Sequence, residues 1–518
     1  MITFTLNGGP VEVPDEGTSL LDVLRERLGV HSAKDGCSPQ GQCGCCTILI
    51  DGRPRVACVT PARRAAGRHV TTLEGFDPQL RERWAAALAG TGGSQCGFCT
   101  PGILVRLAAL ADPSPAAVDQ ALLAHLCRCT GWQTIKEAAA AVAGAGVRGA
   151  PPGPAPARDL DAAARRAALE GGQPQRVGPE VALGGGGFAE DTAPPGALVA
   201  VPNAGGGWSV GETLAEARTA AQKVQGRRTT RALAHPVQVP EGGWAASLRT
   251  TWVEPAYLEP DASWCRPGGE PASPLANGGA FGAKAASVAP AAARQLADRY
   301  GRPVRVVLSR EDTVRLGPKR PPLAAGVRGD GSGVVRVART PGIAGAIKAV
   351  APGLEVQEVD VAGPSTSSQL RAAGWAEAAV LLAAARGEAR VAAPSGARAA
   401  AQVAADGGIQ VTVACGDPLD EVVLRSYCVG AAHMALGWVT SEGIAVDDDG
   451  EVHDLTIRSF GVLRAQDMPV VHVDIEAPPD GPLQPVNGSD AVFAAVAAAV
   501  WLQRGLPRDW PTDRGKLS

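Results

Sequence analysis

Nine of the twelve cysteines in this 518-residue chain lie within the first 130 residues, and eight of the nine form two sets of four. The first set consists of Cys37, Cys43, Cys46 and Cys58, and the second of Cys96, Cys99, Cys127 and Cys129. Thiolates at such short spacings are more often metal ligands than disulfide partners. Two neighbouring four-thiolate sites indicate two iron–sulfur clusters, which transfer single electrons. A four-cysteine zinc site is the alternative for each set.

The first set lies in the glycine-rich loop GCSPQGQCGCC. Glycines in this loop would let backbone N–H groups approach bound sulfur atoms closely. Three clustered cysteines followed by a distant fourth are typical of plant-type 2Fe–2S loops. Cys45 is an extra thiol next to Cys46 and could replace it as a ligand. His125 lies near the second set in sequence and is interpreted as a packing or surface residue, because four thiolates already complete each site.

The composition excludes several classes of partner. A formal net charge of −3 gives no basic excess for binding nucleic acid or anionic lipid. The apolar stretch from Ala491 to Leu502 is too short to cross a bilayer, so no membrane span is expected. Twelve cysteines suit a cytoplasmic protein if most of them bind metal.

The sequence pattern predicts an α+β multidomain chain. A strand–hairpin–helix–strand order predicts a ferredoxin-type domain over residues 1–76, and alanine- and leucine-rich periodicity predicts a helical domain over 77–147. Residues 148–180 are rich in Pro, Gly and Ala and are predicted to be a mobile linker, followed by a mixed α/β region over 181–518. Helix-start signals at Thr100-Pro101 and Thr130-Gly131 predict a helix directly after each later cysteine pair.

Individual elements are predicted from the same patterns. In the first domain we expect strands at Ile2–Leu6, Val11–Val13, Thr47–Ile50 and Val56–Cys58, and a helix at Ser19–Leu28. The helical domain should contain Leu80–Leu88, Pro101–Ala111, Pro115–His125 and Gln133–Ala143. Near the carboxyl end we expect helices at Val429–Trp438 and Ala491–Leu502 and a strand at Leu455–Phe460.

Four motifs in order, GQCGCCTILIDG, Ala57-Cys58, CGFCTPG and CRCTGW, resemble the iron–sulfur portion of the molybdenum hydroxylases. This family includes xanthine dehydrogenases and aldehyde oxidoreductases. The resemblance covers about residues 1–145 and implies two 2Fe–2S clusters, the first in a β-grasp domain and the second in a four-helix bundle. One departure is the five-residue gap between Cys37 and Cys43, where the family usually has four.

Later segments resemble the molybdopterin-binding portion of the same family more thinly. NGGAFGAK is similar to a loop whose backbone approaches the oxygen ligands of molybdenum, which implies cofactor contacts by Gly278, Gly279, Ala280, Phe281 and Gly282. GPLQPVNGSD ends at Asp490, where the family carries a catalytic glutamate. The aspartate reaches roughly 1.5 Å less far, and misplacement by about 1 Å can cost about 10²-fold in rate. Catalytic base and helix cap are both open roles for Asp490.

The resemblance implies a hydroxylase that uses molybdopterin, with the cytosine dinucleotide among its forms, to oxidise an aldehyde or N-heterocycle with oxygen from water. Electrons would leave to a flavoprotein, a ferredoxin or a quinone-linked carrier. The region after residue 180 is less than half the usual length and lacks the family's central glutamine-containing motifs. The alternative is therefore an electron-transfer subunit with a degenerate, molybdenum-free carboxyl-terminal region. A homodimer or a partner subunit is compatible with either reading.

Overall fold

The computed structural model describes residues 1–144, 158–222, 231–273, 279–477 and 483–513. The first region is a small mixed sheet that packs on a short helix. Its helix α1 (Leu20–Asp22) continues as a π-helical segment, Val23–Arg27. The strands are β1 (Ile2–Leu6), β2 (Gly9–Val13), β3 (Thr47–Ile50), β4 (Arg53–Val56) and β5 (His69–Thr71).

The sheet has the strand order β2-β1-β5-β3-β4, with β1 and β5 parallel and the other pairs antiparallel. Its topology agrees with the expected ferredoxin-type domain. One predicted strand is wrong, because Ala57–Val59 form a 3₁₀ turn after β4 ends at Val56. That turn holds Cys58 away from the sheet ladder. The fourth thiol of the first set is therefore presented from a turn rather than from a strand.

The second region contains four helices, as the sequence predicts. They are α2 (Pro78–Thr91), α3 (Thr100–Ala108), α4 (Pro115–Leu122) and α5 (Gln133–Val142). Helix α3 begins directly after Cys99, which occupies its N-cap position. Helix α5 begins three residues later than the Thr130 start signal, because Trp132 adopts a left-handed conformation with φ 70° before the helix.

The predicted linker over 148–180 is partly structured. Residues 145–157 lie outside the described residues, but helix α6 (Leu160–Gly171) and helix α7 (Pro179–Ala182) follow. Helix α6 is not a free connector, since the Arg166 side chain is fully buried and donates to the backbone carbonyl of Pro418, 2.9 Å away. Alanine-rich composition suggested a loose segment, whereas small alanines let this helix pack closely.

The remaining part of the chain forms three further sheets and seven helices within the described ranges. Its strands are β6 (Leu198–Pro202), β7 (Trp208–Gly211), β8 (Ala246–Thr250), β9 (Ala262–Cys265), β10 (Val304–Val307), β11 (Leu323–Val327), β12 (Gly333–Ala338), β13 (Leu354–Val359), β14 (Arg390–Ala392), β15 (Arg398–Val403), β16 (Ile409–Ala414), β17 (Val471–Ile475) and β18 (Asp509–Trp510). Its helices are α8 (Leu214–Ala221), α9 (Ala289–Tyr300), α10 (Arg310–Leu316), α11 (Ile343–Val350), α12 (Trp375–Arg386), α13 (Glu421–Thr440) and α14 (Ser489–Gln503).

The three sheets have the orders β7-β6-β10-β9, β13-β12-β11-β8-β18 and β14-β15-β16-β17. Helices α12, α13 and α14 pack together as the largest hydrophobic core, in which Trp438 stacks on Phe493 with ring centroids 5.2 Å apart. Helix α13 has the length and apolar composition of a membrane-spanning helix. However, 83% of its most apolar 18-residue stretch is buried inside the protein. It is a core helix in this fold.

The amino-terminal regions share one hydrophobic core with later segments. Trp252, Leu258 and Ile457 belong to the same buried cluster as the residues around both cysteine sets. The expected strand Leu455–Phe460 is wrong, because Ile457–Phe460 form a 3₁₀ turn that packs into this core. The two halves of the chain are therefore one packed unit where they meet.

Helix α13 touches the second cysteine set through a glycine. A Cβ atom added to Gly430 would lie 1.7 Å from the carbonyl oxygen of Cys129, which is impossible without backbone movement. We predict that Gly430→Ala lowers the thermal unfolding midpoint, because overpacking a core typically costs about 1–3 kcal/mol. Gly345→Ala is the matched control, since Gly345 is also helical but has no atom within 4 Å of its added Cβ. Equal midpoints for the two variants would contradict this contact.

Candidate functional site: two four-thiol centres

The structure gathers each predicted cysteine set into one buried cluster of thiols. All twelve cysteines are free and buried, so no disulfide competes with metal binding in the described chain. In the first set the Cys37 thiol lies within hydrogen-bonding reach of the thiols of Cys43 and Cys58, and the Cys58 thiol reaches that of Cys46. Four sulfur donors that converge in this way suit iron or zinc.

Cys45 also lies beside the first set. Its thiol is fully buried and lies near that of Cys43, whereas Cys46 lies against Cys58. The amide of Cys58 also donates to the Cys46 sulfur at 3.4 Å. Each of the two thiols therefore lies against one other thiol of the set, and Cys46 as the fourth ligand stays a prediction.

Backbone N–H groups point at the sulfur atoms, as expected for a site that holds thiolates. The amides of Gln40 and Gln42 donate to the Cys37 sulfur at 3.2 and 3.4 Å. At the second set the amide of Phe98 lies 3.4 Å from the Cys96 sulfur. Such donors stabilise negative charge on sulfur and raise the potential of a bound cluster. The residues present therefore fit two thiolate-bound clusters.

The second set is equally compact. The sulfur atoms of Cys96 and Cys129 lie 3.8 Å apart, and the Cys127 thiol reaches those of Cys99 and Cys129. The hydroxyl oxygen of Thr130 lies 3.2 Å from the Cys127 sulfur. This set lies between the helical region and helix α13, so it is the inner of the two centres.

The two centres are joined by direct contacts between their loops. The amide of Leu126, next to Cys127, donates to the carbonyl of Cys43 at 2.9 Å. A Cβ added to Gly102 would lie 2.5 Å from the Gly44 carbonyl oxygen, so the helix after Cys99 presses against the first loop. The hydrogen bond between Leu126 and Cys43 therefore connects the loop of the outer centre with the loop of the inner centre.

His125 has the packing role that the sequence suggested. Its Nε2 lies 3.1 Å from the hydroxyl oxygen of Thr47, and its ring packs against Gly44. Burial lowers the pKa of His125 to about 4, so the imidazole is neutral at pH 7. The histidine supports the first loop without contributing charge.

Two arginines beside the cysteine loops have protein groups as partners. Arg310 is fully buried and donates to the carbonyl of Gly36, 2.7 Å away, which anchors the first cysteine loop. Arg128, between two cysteines of the inner centre, donates to both carboxylate oxygens of Glu442 at 2.5 and 2.7 Å. Burial raises the pKa of Glu442, and the charge of Arg128 opposes that rise.

The candidate molybdopterin loop packs against protein in its described part. Gly278 lies outside the described residues. A Cβ added to Gly279 would lie 2.2 Å from Cγ of Arg128, and one added to Gly282 would lie 1.9 Å from the carbonyl oxygen of Gln369. Both glycines also have positive φ values, 81° and 92°. Neighbouring protein atoms and backbone conformation are sufficient reasons for glycine at these positions.

Ala280 and Phe281 are buried and face a buried arginine. The Arg371 guanidinium lies 3.7 Å from the centre of the Phe281 ring. The same group donates to a carboxylate oxygen of Asp490 at 2.9 Å and to the hydroxyl of Ser489 at 2.5 Å. Arg371 was not predictable from sequence, because no local pattern marks an arginine that pairs with a residue 119 positions away.

Asp490 is not the cap of helix α14. The helix begins at Ser489, and the Glu170 carboxylate accepts from the amides of Gly488 and Ser489 at 3.0 and 2.8 Å. Glu170 in turn pairs with Arg166 at 2.9 Å. Asp490 lies in the first turn of the helix, and its side chain is 25% exposed. Among the described residues it forms an ion pair with Arg371. A capping role alone for Asp490 is therefore wrong.

The cavity next to this loop is small. It measures about 40 Å³ and is lined by Arg128, Ala280, Arg371, Met434, Glu442 and Phe493, among others. A water molecule needs about 10–15 Å³ by this measure, whereas ligand sites are typically about 300–1,000 Å³. Within the described ranges, the residues around the loop do not fit a pterin nucleotide. The molybdopterin contacts of Gly279, Ala280, Phe281 and Gly282 stay predictions.

Comparison with known proteins agrees with the two centres. The family model for a 2Fe-2S iron-sulfur cluster binding domain matches residues 4–69, and that for a 2Fe-2S binding domain matches residues 72–140. The iron-sulfur-binding subunit of xanthine dehydrogenase from Escherichia coli O157:H7 is 41% identical over 144 residues, which are 26% of this chain and 88% of the relative. Isoquinoline 1-oxidoreductase subunit alpha of Brevundimonas diminuta is 41% identical over 146 residues, 26% of this chain and 93% of the relative.

Two solved structures share the fold of the whole chain. The aldehyde oxidoreductase from Desulfovibrio gigas has a TM-score of 0.69 at 15% identity and covers 100% of this chain and 99% of its own. The aldehyde oxidoreductase from Desulfovibrio desulfuricans has a TM-score of 0.67 at 16% identity, with 96% and 97% covered. At such low sequence identity, the structural similarity shows a shared fold and nothing about activity. The expected α+β multidomain architecture is therefore confirmed.

The buried pair of Arg128 and Glu442 gives a testable electrostatic prediction. Glu442→Gln leaves the Arg128 charge uncompensated beside the inner centre, which favours the reduced, more negative state of a bound cluster. We expect the inner-cluster potential to rise by about 50 mV. A shift of this size is close to the ~59 mV that corresponds to a tenfold change in a one-electron equilibrium. Redox titration followed by electron paramagnetic resonance measures this shift.

Two controls accompany that titration. Glu377→Gln removes the carboxylate that pairs with Arg320 at 2.7 Å, which is also buried but is not adjacent in sequence to a cysteine ligand. The outer cluster of the same protein is an internal reference. Equal shifts of both clusters, or the same shift in Glu377→Gln, would refute a specific effect of Arg128.

Proposed function

Since this chain belongs to the molybdenum hydroxylase family, we propose that it is an iron–sulfur oxidoreductase component that transfers single electrons through two 2Fe–2S clusters. Cys37, Cys43, Cys46 and Cys58 would hold the outer cluster, and Cys96, Cys99, Cys127 and Cys129 the inner one. The clusters, when bound, each accept and release one electron. The observation that carries this proposal is the hydrogen bond from the Leu126 amide to the Cys43 carbonyl, which links the two ligand sets at 2.9 Å.

The protein's own residues support electron transfer in three ways. They exclude water, because all eight predicted ligands are buried. They donate backbone N–H groups to sulfur, for example from Gln40 and Phe98. They fix the spacing of the two centres through glycines that permit close backbone contact, such as Gly102 against Gly44. None of these features requires a third cofactor.

Iron analysis and reduction test the proposal directly. The anaerobically purified chain should contain about four irons and should lose visible absorbance when dithionite is added. Cys43→Ser and Cys99→Ser should each remove one cluster and leave about two irons, because each change affects one set. A colourless, zinc-containing protein, or absorbance that dithionite does not change, would contradict the proposal.

Molybdenum-dependent hydroxylation of an aldehyde or N-heterocycle is the second candidate. The position of Asp490 favours it, because this carboxylate lies partly exposed beside Arg371, which faces the Phe281 loop. The small described cavity argues against it. Residues 274–278 and 478–482, which lie outside the described ranges, would have to complete a cofactor site.

Asp490→Ala separates the two candidates. If the chain hydroxylates substrates with Asp490 as the base, the purified protein should contain about one molybdenum, and the variant should lose turnover while it keeps its iron. Asp449→Ala is the control, because Asp449 lies exposed in a loop elsewhere. Four irons without molybdenum would leave electron transfer as the function, whereas unchanged turnover in Asp490→Ala would refute the role of Asp490 as the base.

A further inference from the structure

Two buried threonines directly follow predicted ligands of the inner centre, and their hydroxyl groups have different partners. Thr100 follows Cys99, and Thr130 follows Cys129. The sequence pattern predicts one role for both, as the start signal of the next helix. Neither of the two helices has a side-chain hydrogen bond at its N-cap. The hydroxyl groups therefore do not cap these helices.

The Thr100 hydroxyl pairs with another hydroxyl. Its Oγ1 lies 3.1 Å from Oγ of Ser94. Among the described residues, no cysteine sulfur lies within hydrogen-bonding distance of this group. Thr100 is the first residue of helix α3. Its side chain thus makes a local contact beside the inner centre without touching a ligand.

The Thr130 hydroxyl lies against a predicted ligand instead. Its Oγ1 lies 3.2 Å from Sγ of Cys127, and the backbone amide of Thr130 is within reach of the same sulfur. A cysteine that binds metal does so as a thiolate, which has no proton to donate. Once Cys127 is a ligand, the hydroxyl group is therefore the donor and the sulfur the acceptor.

The backbone of Trp132 orients this hydroxyl. The Trp132 amide donates to Oγ1 of Thr130 at 3.3 Å, so the oxygen is engaged as an acceptor and its own hydrogen is directed elsewhere. Within the described part of the chain, the Cys127 sulfur is the acceptor in reach of that hydrogen. Trp132 has φ 70°, which non-glycine residues rarely adopt. Backbone strain of this kind is found most often at functional sites.

Hydroxyl donation to sulfur distinguishes the inner centre from the outer one. At the outer centre the donors to sulfur are backbone amides, those of Gln40, Gln42 and Cys58. No side-chain hydroxyl in the described ranges lies within hydrogen-bonding distance of a ligand sulfur there. Reduction adds one negative charge to a cluster, so a donor to its sulfur stabilises the reduced state more than the oxidised one.

We propose that the Thr130 hydroxyl donates a hydrogen bond to the Cys127 thiolate and thereby raises the reduction potential of the inner cluster. This inference rests on the proposed electron transfer and adds a residue that regulates it. Thr130 touches a ligand and not the metal, so it is a positioning residue. When one electron enters the inner cluster, no covalent bond changes and the proton stays on the Thr130 oxygen.

Thr130→Val tests the proposal, because valine replaces the hydroxyl by a methyl group in a side chain of similar shape. We expect reduction of the inner cluster to become about 3- to 10-fold less favourable, which lowers its potential by about 30–60 mV at ~59 mV per tenfold change. Thr130→Ser keeps a hydroxyl and should restore most of the parental potential. Redox titration of the iron-loaded full chain, followed by electron paramagnetic resonance, measures these values.

Thr100→Val is the matched control. It removes the hydroxyl of the other buried threonine that follows a ligand, and this hydroxyl pairs with Ser94. Its inner-cluster potential should equal that of the parent protein. The outer cluster serves as an internal reference, and its potential should be the same in all variants.

Pulsed electron paramagnetic resonance of the reduced chain in light and heavy water gives a second readout. The parent protein should show an exchangeable proton coupled to the inner cluster that is absent from Thr130→Val and present in Thr130→Ser and Thr100→Val. A change that acted through packing alone would not remove this coupling. Thr130→Ala is the second variant without a hydroxyl, and it should shift the potential in the same direction even if the valine variant folds poorly.

The outcomes separate this inference from the proposed function. A parent protein without iron, or with absorbance that dithionite does not bleach, would overturn electron transfer itself. Normal bleaching with a parental inner-cluster potential in Thr130→Val and Thr130→Ala would overturn the role of Thr130 alone. An equal shift in Thr100→Val, or a lowered potential that Thr130→Ser does not restore, would also overturn it.

Discussion

The two cysteine loops are held against each other by the hydrogen bond from the Leu126 amide to the Cys43 carbonyl and by the packing around it. Each set could bind metal by itself, but a chain of electron carriers needs a constant spacing between them. Glycines on both sides allow the backbones to approach closely enough for that bond, as the contact of Gly102 with Gly44 illustrates.

The carboxyl-terminal half continues this arrangement instead of forming a separate body. Helix α13 brings Gly430 against the Cys129 carbonyl, and Glu442 neutralises Arg128 between two ligands. In the segments that resemble the family's molybdenum portion, Arg371 bonds to Asp490 and lies over Phe281. In its described part, this region packs against the inner centre through Gly430 and pairs Arg128 with Glu442.

The parts of the structure that follow from local rules were predictable from sequence. Cysteine spacing and glycine-rich turns predicted both thiol centres, and alanine–leucine periodicity predicted the four helices after residue 77. Local rules were insufficient at Ala57–Val59 and Ile457–Phe460, where strand-like residues form 3₁₀ turns because tertiary packing decides their conformation. The partners of Arg371 and Arg128 were also beyond reach, because each pairing spans more than 100 residues. Helix α14 was predicted within two residues, yet its cap comes from Glu170, in a segment interpreted as a linker.

Several cations in the two amino-terminal regions have their carboxylates far downstream. Lys34 and Arg25 both bond to Asp191, and Lys34 is fully buried. Arg128 depends in the same way on Glu442. An isolated fragment ending near residue 144 would expose or strand these positive charges, even though every predicted iron ligand would still be present. Domain boundaries drawn from motif matches would therefore cut through the electrostatic balance of this protein, and a minimal redox module would need new acidic residues designed on its surface.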